Sequence, residues 1–305
     1  MISRSVHPKL LTAGLRKIYF GMYKDWVQFY KQLFFVANST KAYEEEHRVV
    51  GFGAAQETAE LEDAHLEDTQ QSYTIQYNHV KYSLGYRISK EMIDDDQYAI
   101  TKKFTQKLSQ SMMRTVDLLA GTQYAAAFTT ARYDGQALCS NSHPLVSGGT
   151  CDNLLAAALD ALTLEQALEL MARFKSDEGW PIYVRANTLV IPPELEATAS
   201  RLLQSMGYPS LDLAAAPTAA FTPNDVNYLK GKFTAPVVCP YLSDTNDWFV
   251  RAQTGEEDGL KMFWRMMPDL EFEENISNRS TLVTSMMRLC FGVSDWRNIV
   301  GSSVT

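Results

Sequence analysis

At 305 residues, with a hydrophobic fraction of 46% and a charged fraction of 21%, the chain is long enough for a well-buried core and more than one compact region, which excludes a disordered or low-complexity protein. Its formal net charge of -8 repels phosphates at long range and argues against a dedicated DNA-binding role. No apolar stretch reaches the roughly 20 residues that cross a bilayer, and the N-terminus lacks an apolar run followed by a small-residue cleavage site, so synthesis and folding in a cytoplasm are expected.

Leu11, Leu15, Ile18, Met22, Trp26, Phe29 and Leu33 recur at alternating spacings of three and four. That spacing predicts one amphipathic helix whose stripe packs either on the chain's own core or on a neighbouring copy. Charges from Arg4 to Lys41 are nearly all positive, through Lys9, Arg16, Lys17, Lys24 and Lys31, whereas from Glu44 to Asp68 they are nearly all negative, through Glu57, Glu60, Glu62, Asp63 and Glu67. Residues 51 to 72 combine these acids with Gly51, Gly53 and several alanines, have no apolar period, and read as an extended loop unable to form a core.

Tyr73, Ile75 and Tyr77 then alternate, and Val80, Tyr82, Leu84, Tyr86 and Ile88 alternate in the opposite phase. Since strand side chains alternate with period two, the phase change at Asn78 and His79 predicts a bulge, a twist, or a strand that exchanges one packing partner for another. Ser89 opens a long helix with Glu91, Asp94, Asp95 and Asp96 near its positive end, and Ile100, Phe104, Leu108, Met112 and Val116 continue it toward Phe128, a spine of roughly 50 to 60 Å.

A turn-rich loop, Asp134 to Pro144, follows. Asp152 or Asn153 is placed to cap a short apolar helix, and Thr163 with Gln166 has the spacing of a capping box for a second helix through Lys175. Thr188 to Ile191 reads as a buried strand, Pro193 opens another helix that Gly207 ends, and 208 to 235 is a loop rich in Ala, Pro and Thr. Pro236 to Pro240 and Trp248 to Ala252 are predicted strands joined by a turn at Asp244 to Asp247, with further strands at Leu270 to Phe272 and Leu282 to Phe291. The class is α+β.

Chemistry-bearing patterns are sparse. Cys139 and His143 suggest a thiol nucleophile, but such partners usually come from distant sequence positions, and Cys139, His143 and Cys151 lack a fourth zinc ligand. Asp94, Asp95 and Asp96 lack the alternate spacing of a calcium loop and fit a solvated helix start. Cys139, Cys151, Cys239 and Cys290 have no framework spacing and are expected to be free, buried thiols. Phosphate-loop, dinucleotide, zinc-protease and nucleophile-elbow motifs are absent from the sequence. No enzyme activity, metal or cofactor is expected.

The order of elements, with Tyr86 to Asp96 entering the spine, Asp134-Gly135 through His143-Pro144, Leu189 to Leu195, Tyr241 to Asp244 with Trp248-Phe249, and Asp295 to Arg297 with Gly301, resembles the major capsid proteins of tailed phages. These have the Hong Kong ninety-seven (HK97-like) fold, and the likeness runs to the branch containing the Mu-like major head subunit. The resemblance implies an N-terminal arm at 1–50, an E-loop at 51–87, a P-domain at 88–155 with the spine helix, an A-domain at 156–267, and P-domain return strands at 268–305. It implies a homo-oligomer of pentamers and hexamers, a virion shell assembled in the host cytoplasm around double-stranded DNA without sequence-specific binding. It also implies a portal, a separate scaffold and a possible decoration protein, and no membrane.

In such a shell Leu11, Leu15, Ile18, Met22, Trp26 and Phe29, the arm cations Arg16 and Lys17, and the loop acids Glu57, Glu60, Glu62, Asp63, Glu67 and Asp68 are the expected contacts between subunits. Residues 51 to 80 hold no lysine, so the covalent cross-link that some relatives form through their E-loop is not expected. The rival readings are an encapsulin-like compartment of the same fold and a cytoplasmic Cys/His hydrolase.

Overall fold

The computed structural model describes residues 8–61, 63–67, 71–94, 98–207, 226–255, 258–275 and 277–304, and the fold that follows is that of these residues. The N-terminal stripe forms two helices: α1 (Pro8–Asp25) and α2 (Tyr30–Leu33), with residues 26 to 29 outside both. The single helix expected from Leu11 to Leu33 is broken because an acceptor distant in sequence captures the backbone and indole at this point, as described below. Strands β1 (Phe35–Asn38) and β2 (Tyr43–Val49) follow, and then 51–61 and 63–67 run without regular structure.

Strands β3 (Gln71–Asn78) and β4 (Val80–Ser89) meet at His79, where the phase changed. β3 pairs antiparallel with β2, while β4 pairs antiparallel with the long C-terminal hairpin, so the chain exchanges one sheet for another there. The His79 ring spans the junction, 3.1 Å from Ser39 Oγ and 3.3 Å from Cys290 Sγ.

The spine is carried by α3 (Lys90–Asp94) and α4 (Tyr98–Ala125), with 95–97 outside the described residues, and the 28 residues of α4 extend about 42 Å. The every-fourth pattern also drifts around a helix of 3.6 residues per turn, so Phe104 is 41% exposed while Leu108, Met112, Met113, Val116, Ala120 and Tyr124 carry the buried face. Buried polar side chains complete that face: the Thr105 hydroxyl lies 2.7 Å from Tyr86 Oη, and Ser109 Oγ donates to the Tyr19 carbonyl.

Beyond the spine come β5 (His143–Pro144), β6 (Thr150–Cys151) and β7 (Leu154–Leu155). The short helix expected after Asp152 and Asn153 is absent: Asp152 accepts from the Leu154 backbone N–H, and Asn153 is buried in a loop knot. α5 (Ala161–Ala172) begins one turn before the expected cap, because Asp160 is its N-cap and Thr163 is the reciprocal N3 partner. β8 (Thr188–Ile191) is wholly buried, and a short 3-10 turn at Pro193–Leu195 leads into α6 (Glu196–Gln204).

β9 (Val237–Val238) and β10 (Trp248–Arg251) do not form the expected hairpin; they flank β8, parallel and antiparallel to it. The C-terminal hairpin is far longer than its sequence signal, with β11 (Leu260–Asn275) and β12 (Ser280–Val293) paired throughout, before β13 (Ile299–Ser302).

Among the described residues two larger sheets result, ordered β1-β11-β12-β4 and β7-β13-β10-β8-β9, beside the two-stranded pairs β2-β3 and β5-β6. One continuous core joins the larger two, running from α2 and the spine through α5, α6 and both sheets. No described helix is long and apolar enough to cross a membrane.

Candidate assembly surfaces

The arm is packed on its own chain at its centre. α1 lies against α4 and β11, where Leu15 is 3% exposed and Tyr19 is buried with Leu108, Leu270 and Val283. Tyr19 Oη lies 2.7 Å from Ser285 Oγ, and Arg16 donates to the Leu270 carbonyl. Ile18 and Met22 remain half-buried, Lys17 is exposed, and the side chain of Leu11 lies outside the described residues.

At the elbow after α1, Asp117 on the spine accepts from the Trp26 indole and from the Tyr30 backbone N–H. The Phe29 ring sits 6.5 Å from that of Tyr241. The intramolecular branch of the stripe's two readings therefore holds at Leu15 and Leu33, which leaves the partly buried Ile18, Met22, Trp26 and Phe29 as surface.

The acidic loop is the opposite case. Residues 51–61 and 63–67 are exposed throughout, including Phe52, Leu61 and Leu66, which are 66%, 102% and 90% exposed. Glu57, Glu60 and Asp63 form no ion pair among the described residues, and Glu67 is occupied only by the Gly53 backbone N–H. Glu62 and Asp68 lie outside the described residues. Nothing in the described chain brings Arg16 or Lys17 to these acids.

The loop's base, by contrast, is fastened. Arg48 on β2 bonds Asp177 at 2.9 Å and Asp295 at 3.1 Å, and Arg297 bonds the same two carboxylates. Lys261 pairs with Glu46, to which Tyr77 Oη also donates. Coulombic attraction to Asp295 and Asp177 outweighs burial at Arg48 and raises its pKa, so this guanidinium stays charged. A rigid stem thus carries a bare, acidic and partly apolar tip.

The Cys/His hypothesis fails on geometry. His143 has both ring nitrogens engaged, Nδ1 at 2.6 Å from Asp134 and Nε2 at 3.0 Å from Asn153, and its ring stacks on Trp296. Cys139 is buried apart from it, and burial pushes its thiol well above the ordinary thiol range, opposite to the shift a nucleophile needs. All four cysteines are free, with Cys139, Cys239 and Cys290 buried and Cys151 half-exposed. Among the described residues no cluster of His, Cys, Asp and Glu could hold a metal.

Several groups at these surfaces escaped the sequence reading. Asp117 was lost in the apolar run of the spine, and Arg48, Asp177, Asp295 and Arg297 lie far apart in the chain. Arg251, fully buried on β10, bonds both carboxylate oxygens of Asp258 at 2.7 and 2.6 Å and also donates to the Leu33 carbonyl. Of these, Asp295 and Arg297 belong to the Asp295-Trp296-Arg297 run that carries the family resemblance.

A sequence profile of the phage capsid protein family matches residues 72–302. No protein of curated function matches the sequence. Among solved structures, the capsid of the cyanophage P-SCSP1u is similar over 92% of this chain and 88% of that one, with 11% identity and a TM-score of 0.60. The procapsid of bacteriophage JBD30 covers 98% of this chain and 76% of that one, with 14% identity and a TM-score of 0.53. A virus-like particle from Pyrococcus furiosus covers 95% and 98%, with 10% identity and a TM-score of 0.54. At such identities the likeness establishes the fold, which is the HK97-like one.

Proposed function

The chain belongs to the phage capsid protein family as a shell-building subunit, and on that premise we propose that its copies close, as pentamers and hexamers, into an icosahedral head around double-stranded DNA. The observation that carries this reading is the acidic loop. A fastened stem holds Phe52, Leu61 and Leu66 in solvent beside unpaired Glu57, Glu60 and Asp63, an arrangement that gains its burial from a second copy. Each contact of this kind is modest, but a closed shell makes many at once, so avidity stabilises the assembly.

Within the shell, 1–50 acts as the arm, 51–87 as the E-loop, 88–155 and 268–305 as the P-domain, and 156–267 as the A-domain. Glu57, Glu60, Glu62, Asp63, Glu67 and Asp68 on the loop face a neighbour, and Arg16 and Lys17 with the outer parts of Ile18, Met22, Trp26 and Phe29 offer it a basic, half-apolar surface. The shell forms in the host cytoplasm with a separate scaffold and a portal, and a decoration protein can dock outside.

Electron microscopy of the full chain, expressed alone and with its neighbouring gene products, tests the reading. Closed particles holding nuclease-resistant DNA are expected. A permanently solitary chain would overturn it, and closed particles filled with an enzyme in place of a genome would assign the chain to the compartment branch of the same fold.

A further inference from the structure

The solvent face of the spine carries Lys102, Lys103, Lys107 and Arg114, all exposed. None of the four forms an ion pair among the described residues, whereas Lys41, Arg48, Arg173, Arg251, Lys261 and Arg297 are all paired. The exposed face of α4 has no acid at all, since its single carboxylate, Asp117, is buried under the elbow. Lys103 and Lys107 stand four residues apart on one face, an unfavourable like-charge pair within an isolated helix. The first turn lacks acids and the last turn lacks bases, so these charges do not serve the helix dipole either.

On the neighbouring helix α1, Arg16 and Lys17 are exposed as well. Together α1 and α4 hold eight Lys and Arg against two acids, in a chain whose formal net charge is -8. Across the sheet, the far surface has a different character: Asp269, Glu271 and Glu273 stand exposed on β11. Among the described residues, the exposed charged side chains of α1 and α4 are therefore all basic.

We infer that the solvent face of α4, through Lys103, Lys107 and Arg114, contacts the phosphate backbone of the enclosed duplex and so marks the inward side of the subunit. This rests on the shell reading above. A duplex presents about one negative charge per 1.7 Å of axis, so the stretch from Lys102 to Arg114, about 18 Å at 1.5 Å per residue, meets phosphates without base recognition. A second copy's acidic loop is the competing occupant. The partners proposed for that loop are Arg16 and Lys17 on α1, whereas Lys102, Lys103 and Lys107 on α4 make no ion pair among the described residues and Arg114 meets only the Tyr241 phenol.

The test uses the full chain in dispersed form, titrated with a fluorescent 20-base-pair duplex over a range of salt, beside microscopy of shells formed from the same preparation. Three phosphate contacts give a slope of log affinity on log salt of about -2.7, which the variant K103Q/K107Q/R114Q loses along with at least tenfold in affinity at low salt. Lys103→Gln alone lowers the slope by about 0.9, which keeps the test open should the triple variant fold poorly. Unchanged affinity and slope would overturn the inference, as would intact duplex binding in a variant that no longer forms shells, which would give this face to a second copy. Duplex binding that depends on these residues in a chain that never closes shells would sink the shell reading and leave the phosphate surface standing.

Discussion

Asp117 Oδ2 accepts the Trp26 indole N–H at 2.8 Å, while its other oxygen accepts the Tyr30 backbone N–H at 3.1 Å. A buried carboxylate on the spine therefore replaces the helical acceptors that the chain loses between α1 and α2. Asp117→Ala removes the acceptor shared by these two donors and is expected to cost about 2–4 kcal/mol in urea unfolding.

The same carboxylate has a pH signature. Burial raises its pKa, and the bonds from Trp26, Tyr30 and Phe29 offset only part of that rise. The folded state then holds a proton that the unfolded chain has already released, so this group adds most stability at low pH and loses it as pH rises through the folded pKa. The stability of the wild type relative to Asp117→Asn should fall as pH rises above the ordinary carboxylate range. A gap that widens with pH would contradict the assignment.

Gly292 lies under the ring of Tyr77, with an added Cβ 1.9 Å from Tyr77 Cε1. This close approach seats the β2–β3 stem on the main sheet, where Tyr77 also tilts against Phe263. Gly292→Ala should cost about 1–3 kcal/mol and loosen the stem, so that protease cuts the 51–67 segment faster; pairing it with Tyr77→Ala should recover part of the loss. Strictly additive losses would mean the two residues do not oppose one another.

Much of this architecture was legible from periodicity. The strand that changes sheets at His79 showed itself as a phase change because strand side chains alternate strictly, and the bare loop showed itself as the run from 51 to 72 without an apolar period. The elbow at residues 26 to 29 was illegible, since the apolar spacing runs on through it and Asp117 is 91 positions away from Trp26. The β9 and β10 pairing failed for a similar reason: a turn-forming run links them, yet the intervening place in the sheet is taken by β8, supplied from earlier in the chain. At the surfaces, the loop acids could be named from composition, but the Arg48, Asp177, Asp295 and Arg297 clasp depends on three segments meeting in space.

The Arg251 and Asp258 pair has no solvent to fall back on. Removing one partner strands a buried charge, so Asp258→Ala should cost about 3–5 kcal/mol, whereas R251M/D258L should cost less than the single change. Equal losses in denaturant titrations of the two variants would show that the pair is not coupled.

Cys139 tests the absence of thiol chemistry. With its thiol buried and its pKa pushed up, it should resist alkylating reagents in the folded protein, and Cys139→Ala should cost on the order of 1 kcal/mol and leave particle formation intact. Rapid alkylation that blocks function would reopen the hydrolase reading.

Charge reversal separates folding from assembly. Glu57, Glu60 and Asp63 are exposed and make no ion pair among the described residues, so E57K/E60K/D63K should change the stability of the subunit by no more than about 0.5 kcal/mol. Across a contact the same change turns each attraction of about 1 kcal/mol into a repulsion of similar size, and every subunit in a shell repeats the penalty. Folded, soluble chains that form no particles are therefore expected. Raising salt should weaken wild-type assembly and relieve part of the variant's defect, because exposed charges are screened beyond about 10 Å at 0.1 M. Normal particles from the variant at low salt would show that the acidic tip contributes nothing to the contact.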